Sequence, residues 1–223
     1  MQIKGAIFDM DGTLVDSLTF WENYWKEFGI RYFDNGDFQC DETLDRSVRT
    51  MIFREAVALI YQRYELPETE EEFYAYSASG VDEFYRTKAP LKEGAAELLA
   101  DLKARGIKIC LASATNMRWI RLALDCLDLA KYFDCVLSCA DIGVGKDRPD
   151  IYLHALKAME MKPEEACVFE DSYVALETAK AIGCHTVGIF DRNNYEQERL
   201  RRASEIYVEE GDPLTVLIHR IER

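Results

Sequence analysis

The chain has 223 residues, of which 48% are hydrophobic and 30% are charged, and its formal net charge is −14. This size and composition are typical of an ordinary globular protein with one domain, or one domain with an insert, and exclude a disordered chain. The negative charge argues against a nucleic-acid backbone or an anionic membrane surface as the partner, and no apolar stretch approaches the roughly 20 residues that a transmembrane helix needs.

Cysteine use and the amino terminus indicate a reducing compartment. The seven cysteines include no CxxC pair, and none of the three histidines lies at a spacing typical of zinc ligands. An odd number of cysteines favours free structural thiols over a disulfide framework. The first apolar run leads directly into an acidic motif, so we expect neither a secretory nor a transit sequence, and a cytoplasmic location.

The first predicted strand, residues 3–8, is followed by two aspartates, Asp9 and Asp11, and then by Gly12. Residues two apart on a strand point the same way, so the two carboxylates would crowd each other. At about 4 Å and an effective dielectric near 20, their repulsion is roughly 4 kcal/mol, which a fold rarely retains without a cation. Taken alone, the pattern also fits an acidic turn, because Asp and Gly are common turn residues.

Residues 16–90 contain no convincing strand but show three helical patterns with a spacing near 3.6 residues. We expect the apolar and aromatic side chains of these patterns to form the core of a helical insert. We expect the acidic run at 68–72 to be a solvated helix start, where carboxylates favour the helix dipole. The patterned residues are Phe20, Trp21, Tyr24, Trp25 and Phe28, then Leu44, Val48, Met51, Ile52 and Leu59, then Phe73, Tyr76, Phe84 and Tyr85.

From residue 91 onward, helical and strand patterns alternate. The predicted helices cover residues 94–105, 117–127, 151–159 and 174–182, and the predicted strands cover residues 107–112, 135–138, 166–169 and 185–189. Together with the first strand, these make five short apolar strands separated by helices. The pattern predicts an α/β fold, a doubly wound parallel sheet covered by helices on both faces. The predicted core is residues 1–15 and 91–223, with the α-helical domain inserted at 16–90.

Polar side chains follow the predicted strands at the edge where ligands bind in open parallel sheets. Four carboxylates, one hydroxyl and one lysine would converge there. Carboxylate oxygens suit Mg²⁺, which prefers a few carboxylates, retained waters and a substrate phosphate. The residues concerned are Asp9, Asp11, Ser113, Lys146, Glu170 and Asp171.

Four segments resemble the motifs of the haloacid dehalogenase-like (HAD) hydrolase superfamily. DMDGTLVDS resembles its first motif, LASAT its second, the lysine of GKDRPDIY its third and VFEDS its fourth, in the family's order and rough spacing. The resemblance covers essentially the whole chain. It implies a Rossmann-like HAD core with the helical insert as a mobile cap, Mg²⁺ as the cofactor, and a small phosphorylated metabolite as the substrate.

The resemblance implies a catalytic role for four residues. Asp9 would attack phosphorus and form an aspartyl-phosphate, and Asp11 would act as general acid and then as general base. Ser113 would hydrogen-bond the transferring phosphoryl group, and Lys146 would add a positive charge near Asp9 and the phosphate. Taken singly, Ser113 could also be a helix N-cap and Lys146 a solvated loop residue.

The resemblance also implies the ligands of the cofactor. Mg²⁺ would be held by the Asp9 carboxylate, the main-chain carbonyl of Asp11 and Asp171. Glu170 would be a direct or water-mediated ligand.

Further substrate contacts are assigned to Ala114 and Asn116, beside Ser113, and to Arg49 in the insert. Arg46 and Arg49 are candidates to meet a substrate carboxylate or hydroxyls, although two exposed helix arginines are the simpler interpretation. Trp21 is expected in the core of the insert rather than in a substrate pocket.

Within the superfamily, the chain is most similar to the group of phosphoglycolate phosphatases, β-phosphoglucomutase and small sugar-phosphate phosphatases. The mutase is an alternative, but Trp21 stands where its cap histidine is expected, which favours hydrolysis of a small phosphomonoester. Asp11 disfavours dehalogenase chemistry, which needs no leaving-group acid. A non-catalytic phosphate-binding regulatory protein is an alternative of another class, against which the intact motif set argues. The expected oligomeric state is a monomer.

Overall fold

A computed structural model of the protein describes residues 1–17, 19–192, 194 and 196–222, with the backbone alone at positions 50 and 88. The chain forms two compact units: Met1–Asp16 with Pro90–Arg223, and Ser17–Ala89. In the part of the chain so described, no helix is both long and apolar enough to cross a bilayer.

The first unit is built on a six-stranded parallel sheet with the strand order β3-β2-β1-β4-β5-β6. This confirms the predicted α/β fold with a parallel sheet and adds a sixth strand, β6, which the sequence analysis missed. The strands are β1 (Gly5–Phe8), β2 (Lys108–Ser113), β3 (Cys135–Ser138), β4 (Ala166–Glu170), β5 (His185–Ile189) and β6 (Ile206–Val208).

Six helices accompany these strands in the described part of the first unit: α5 (Ala95–Ala104), α6 (Met117–Cys126), α7 (Cys139–Ile142), α8 (Asp150–Met159), α9 (Tyr173–Ala181) and α10 (Gln197–Ala203). The predicted helices correspond to α5, α6, α8 and α9 within one or two residues at each end. The sequence analysis missed α7 and α10.

The sheet is apolar on both faces because neighbouring residues of each strand point to opposite sides. Ile7 and Val168 pack in one cluster with residues of α8 and α9. Phe8 and Phe169, the next residues along β1 and β4, stack ring on ring with their centroids 4.1 Å apart. All four side chains are fully buried. Such double burial explains why these strands are continuous apolar runs, and it fixes the position of the polar residues that follow them.

Among its described residues, the second unit has four α-helices, α1 (Thr19–Phe33), α2 (Glu42–Thr50), α3 (Phe53–Tyr64) and α4 (Glu70–Glu83), and a π-helical turn at Phe84–Lys88. The sequence analysis expected three helical patterns. The second of them is two helices, because the backbone is extended at Met51 and Ile52. The helix start predicted at the acidic run is a capping box, in which Thr69 and Glu72 satisfy each other's backbone N–H groups.

Aromatic residues fill the core of the second unit. Trp21, Trp25, Phe28 and Phe73 belong to one buried cluster, with Phe28 and Phe73 fully inaccessible. The Trp25 indole donates a hydrogen bond to Oδ1 of Asp45 at 2.6 Å, so its polar edge is satisfied inside this core. Trp21 therefore lies in the core of the insert.

Two linker segments of the first unit flank the insert. Residues 14–16 and 90–92 lie side by side, with an antiparallel bridge between Val15 and Leu91. The N–H of Asp16 donates to the carbonyl of Pro90, and the N–H of Lys92 donates to the carbonyl of Leu14, each at 2.9 Å. The backbone of both linkers is thus paired at the base of the insert.

Candidate active site

Three strands of the sheet deliver polar residues to its carboxyl edge. In register, Phe8 of β1 pairs with Leu111 of β2 and Phe169 of β4. Asp9 follows β1 directly, and its N–H donates to the carbonyl of Phe169 at 3.0 Å, which continues the ladder by one bond. The strands β2 and β4 end in Ser113 and Glu170, and both side chains are 1% exposed.

Lys146 joins two of the carboxylates that the sequence analysis assigned to the site. Its ammonium donates to Oδ1 of Asp9 and, at 2.5 Å, to Oε1 of Glu170. Although burial by itself lowers the pKa of Lys146, the carboxylates of Asp9 and Glu170 raise it well above its ordinary value. Its side chain is only 12% exposed, so the interpretation of Lys146 as a solvated loop residue is wrong.

Asp9, Glu170 and Asp171 form a buried acidic cluster, with one carboxylate oxygen of each lying within 4.8 Å of the others. Burial raises the pKa of Asp9 to about 8, reinforced by Glu170 and opposed by Lys146. Burial, followed by the charges of Glu170 and Asp9, raises the pKa of Asp171 well above its ordinary value. The cluster therefore holds protons, or a cation, more readily than isolated carboxylates would.

The chemistry of this cluster fits a hard divalent cation such as Mg²⁺, which binds through carboxylate oxygens. Gly12 is a second feature that suits a bound cation. Its φ is +83°, and a Cβ at this position would lie 2.6 Å from Oδ2 of Asp171. Only a residue without a side chain keeps that oxygen accessible in the turn. The predicted ligands Asp9, Glu170 and Asp171 are thus brought together.

Glu170 is held on both of its oxygens. Oε1 accepts from Lys146 and from the Tyr152 hydroxyl at 3.5 Å, and Oε2 accepts the N–H of Ser172 at 3.3 Å. Tyr152 is the third residue of α8 and is 1% exposed. The sequence analysis missed its contact with the site.

Asp11 is held by the segment that follows β2. Its Oδ2 accepts a hydrogen bond from Oγ1 of Thr115 at 2.7 Å. Ser113 accepts the N–H of Thr115 at 3.1 Å, and the N-cap of α6 is Asn116, whose Oδ1 accepts the N–H of Arg118 at 2.9 Å. Ser113 is therefore not the helix N-cap. Since its oxygen accepts from a backbone amide, its hydroxyl proton can be donated elsewhere.

The loop that carries Asp171 has its own supports, which the sequence analysis missed. The Asn194 side chain donates to the carbonyl of Asp171, and the Thr13 hydroxyl donates to its Oδ1 at 3.4 Å. Lys92 forms an ion pair of 2.7 Å with Asp191, whose side chain is 1% exposed. The charge of Asp191 raises the pKa of Asp171 and that of Lys92 lowers it, after the larger effects of burial, Glu170 and Asp9.

The assigned substrate contacts have different environments. Ala114 and Asn116 are exposed on the segment after β2. Within the helical unit, Arg49 is 10% exposed at its side chain and pairs with Asp45 at 2.8 Å. Arg46 is 51% exposed and pairs with Glu42 at 2.5 Å. The interpretation of both as exposed helix arginines is correct for Arg46 and wrong for Arg49.

Comparison with known proteins identifies the family. Among curated proteins, the phosphorylated carbohydrates phosphatase of Thermotoga maritima is 29% identical over 216 residues, which cover 96% of this chain and 98% of that protein. The phosphoglycolate phosphatase of Shigella boydii is 27% identical over 240 residues, with 96% and 92% covered.

Two solved structures are similar to the chain. A Thermotoga maritima protein provisionally described as a beta-phosphoglucomutase is 28% identical, with a TM-score of 0.80 and coverage of 97% of this chain and 99% of that one. CbbY from Rhodobacter sphaeroides, solved in complex with phosphate, has a TM-score of 0.76 at 23% identity, with 96% of each chain covered, and shares the fold. A model of the haloacid dehalogenase-like hydrolase family matches residues 3–183, and the chain belongs to this family of hydrolases.

Proposed function

We propose that the protein is a Mg²⁺-dependent phosphatase that hydrolyses a small phosphomonoester, such as a sugar phosphate or a phosphoglycolate-like acid. The observation that carries the proposal is the contact of Lys146 with Asp9 inside a buried cluster of three carboxylates. Relatives named as phosphatases of phosphorylated carbohydrates and of phosphoglycolate support the substrate class.

Asp9 is the nucleophile in this proposal. Its carboxylate oxygen forms a bond to phosphorus as the bond from phosphorus to the leaving oxygen breaks, which gives an aspartyl-phosphate. Asp11 donates its proton to the leaving oxygen, and in the second step it takes a proton from the water that attacks the aspartyl-phosphate. Inorganic phosphate and the free Asp9 carboxylate are the products.

Negative charge on the phosphoryl oxygens during transfer is stabilised by Lys146, Ser113 and the cation site. The ammonium of Lys146 and the hydroxyl of Ser113 donate to the phosphoryl oxygens. When bound, Mg²⁺ supplies positive charge that favours attack on an anionic phosphate. Asp9, Asp171 and the main-chain carbonyl of Asp11 would hold it. Glu170 would act through a water, because both of its oxygens already accept hydrogen bonds.

Substrate selection is assigned to residues around these groups. Ala114 and Asn116 would contact the substrate beside Ser113, and Arg49 would contribute from the helical insert. The insert, residues 16–90, would act as the cap that excludes water during transfer.

Phosphate release tests the proposal. We expect the purified protein to release phosphate from p-nitrophenyl phosphate with Mg²⁺ and to stop when a chelator is added. Turnover that persists in chelator would contradict the cation requirement. Phosphate binding without any turnover would favour the regulatory alternative. A screen of sugar phosphates, phosphoglycolate and nucleotides then identifies the substrate.

A phosphosugar mutase is the second candidate, because one structural relative is described in those terms. Retained transfer needs a group that brings a second hydroxyl of the substrate, instead of water, to the aspartyl-phosphate. The position where the mutase group is expected to carry a histidine is Trp21, which is 9% exposed in the aromatic core of the insert. We therefore expect β-glucose 1-phosphate to be hydrolysed faster than it is isomerised, and the reverse result would favour the mutase.

A further inference from the structure

The hydroxyl of Thr115 contacts Asp11, which the motif analysis did not anticipate. Thr115 Oγ1 donates to Oδ2 of Asp11 at 2.7 Å, across a sequence separation of 104 residues. Thr115 is half-buried on the short segment between β2 and α6. This distance is that of a well-formed O–H···O hydrogen bond.

The backbone of Thr115 is itself fixed from two sides. Its N–H donates to Oγ of Ser113 at 3.1 Å, and its carbonyl accepts from Oγ of Ser138 at 2.7 Å. Ser113 and Ser138 are register partners at the ends of the adjacent strands β2 and β3. Two buried serines at the same level of the sheet therefore hold the peptide groups on either side of the Thr115 side chain.

The side chain of Thr115 does not cap the helix that follows it. The side-chain cap of α6 is supplied by Asn116. The hydroxyl of Thr115 is thus directed at Asp11 rather than at the first turn of the helix, and the contact needs an explanation other than helix capping.

We propose that Thr115 is a positioning residue for Asp11, an inference that rests on the proposed phosphatase function. The Thr115 O–H donates to Oδ2 and fixes the plane of the carboxyl group, and Oδ1 carries the transferable proton. In the first step the Oδ1–H bond breaks and the proton passes to the leaving oxygen as the P–O bond breaks. In the second step Oδ1 takes the proton of the attacking water. Thr115 keeps its own proton throughout.

Two substrates with different leaving groups distinguish a misplaced general acid from a general loss of active-site structure. A p-nitrophenolate is a stable anion and departs with little need of a proton, whereas the alkoxide of a sugar phosphate requires one. General acid catalysis typically contributes about 10²- to 10⁴-fold, and misplacing the acid forfeits part of this only where protonation is needed. The experiment compares kcat/KM for p-nitrophenyl phosphate and for glucose 6-phosphate, in saturating Mg²⁺, for the wild type and for Thr115→Val and Thr115→Ser.

We expect Thr115→Val to lose about tenfold or more in kcat/KM on the sugar phosphate and less than about threefold on p-nitrophenyl phosphate. Thr115→Ser, which retains the hydroxyl, should recover most of the loss. An equal loss on both substrates, no loss on either, or failure of serine to rescue would overturn the proposal. A wild-type protein that hydrolyses neither substrate would instead overturn the proposed function.

Two further variants complete the test. Thr178→Val removes a hydroxyl on α9 that donates to the carbonyl of Val174 at 2.9 Å. This control variant should change neither rate. Ser138→Ala releases the carbonyl of Thr115 and the N–H of Ala140 at the start of α7, and it leaves the Thr115 hydroxyl in place. It should show the same preference for loss on the sugar phosphate, and it decides the question if Thr115→Val does not fold. A Ser138→Ala protein with equal losses on the two substrates would contradict the proposal.

Discussion

Lys146 donates a hydrogen bond to Oδ1 of Asp9, so a buried cation sits directly on the carboxylate that follows the first strand of the sheet. The two residues are 137 positions apart in the sequence, and Lys146 also donates to Glu170 at the end of β4. An ion pair in this position stabilises the charged form of a group that burial alone would keep protonated. Asp171 adds a third carboxyl group within 4.8 Å, so the cluster contains more acidic groups than one ammonium can neutralise.

Replacing the proposed nucleophile should abolish turnover without unfolding the protein. Asp9→Asn keeps the shape of the side chain but cannot form an acyl-phosphate, so we expect phosphate release to fall by about 10³-fold or more. Asp128→Asn is the matched control, since Asp128 is 82% exposed at its side chain on a surface turn. Retention of more than a tenth of wild-type activity in Asp9→Asn would contradict the assignment of the nucleophile.

The stability of the metal-free protein should depend on pH in a defined direction. The pKa of Asp9 is about 8 in the folded protein, above its ordinary value of 3.8, so the folded state binds the proton more tightly than the unfolded state does. This contribution to the free energy of unfolding is fully present below about pH 4 and is lost as the pH rises through about 8. We expect Tm in chelator to fall relative to that of Asp9→Asn over this range, and added Mg²⁺ to raise the wild-type Tm most at its upper end. A difference in Tm between the two proteins that does not change with pH in chelator would contradict the expectation.

A methyl group at Gly12 should damage the acidic cluster more than it damages the fold. Gly12 and Gly211 both have a φ of +83°, so Gly→Ala costs each about 1–2 kcal/mol of backbone strain. A Cβ at Gly211 meets nothing within 4 Å, whereas one at Gly12 lies 2.6 Å from Oδ2 of Asp171. We expect comparable loss of stability in the two variants, with about a tenfold or larger loss of Mg²⁺ affinity in Gly12→Ala alone. Calorimetric titration of Mg²⁺ and denaturant melts separate the two effects. Equal Mg²⁺ affinities would refute the proposed cation position.

The buried pair of Lys92 and Asp191 should contribute strongly to stability. Lys92→Met leaves the Asp191 carboxylate, which is 1% exposed, without its ammonium partner at 2.7 Å. Breaking a buried pair in this way costs about 3–5 kcal/mol, and we expect a value near the lower end because Lys92 is 16% exposed. Lys131→Met removes a surface lysine that pairs with Asp128, and it should leave the urea midpoint close to that of the wild type. Urea melts of the two variants measure the difference, and similar midpoints would contradict the prediction.

Local sequence pattern predicted much of the secondary structure of the first unit. The strands β3 and β5 begin and end where the alternation of apolar and turn residues placed them, because doubly buried strands leave an unbroken apolar run. The short strand β6 was missed. It has three residues, one of them the half-buried Tyr207, and so lacks a run long enough to stand out. The break at Met51 and Ile52 was missed for the opposite reason, since two apolar residues continued the helical pattern through an extended segment.

In the candidate site, too, some features could be predicted from the sequence and others could not. Residues that directly follow a strand, such as Asp9 and Glu170, could be placed at the carboxyl edge by topology alone. Contacts between distant loops could not. Asp11 accepts a hydrogen bond from Thr115, and Asp191 accepts one from Lys92, 99 residues away; neither contact has a local sequence signal. Burial of Arg49 likewise depends on packing within the insert rather than on helical spacing.

The paired linkers at residues 14–16 and 90–92 make the insert exchangeable. The chain leaves the first unit and returns to it at one point, where a 2.9 Å hydrogen bond joins the N–H of Asp16 to the carbonyl of Pro90. Since the two ends already meet, an intervening segment of almost any length closes there at small entropic cost, about 0.6 kcal/mol for each doubling of length. Insertions, deletions and wholesale replacement between these points leave every strand of the sheet in register. An exchange of the whole insert at this single junction would therefore leave the polar residues that follow β1, β2 and β4 on their own strands.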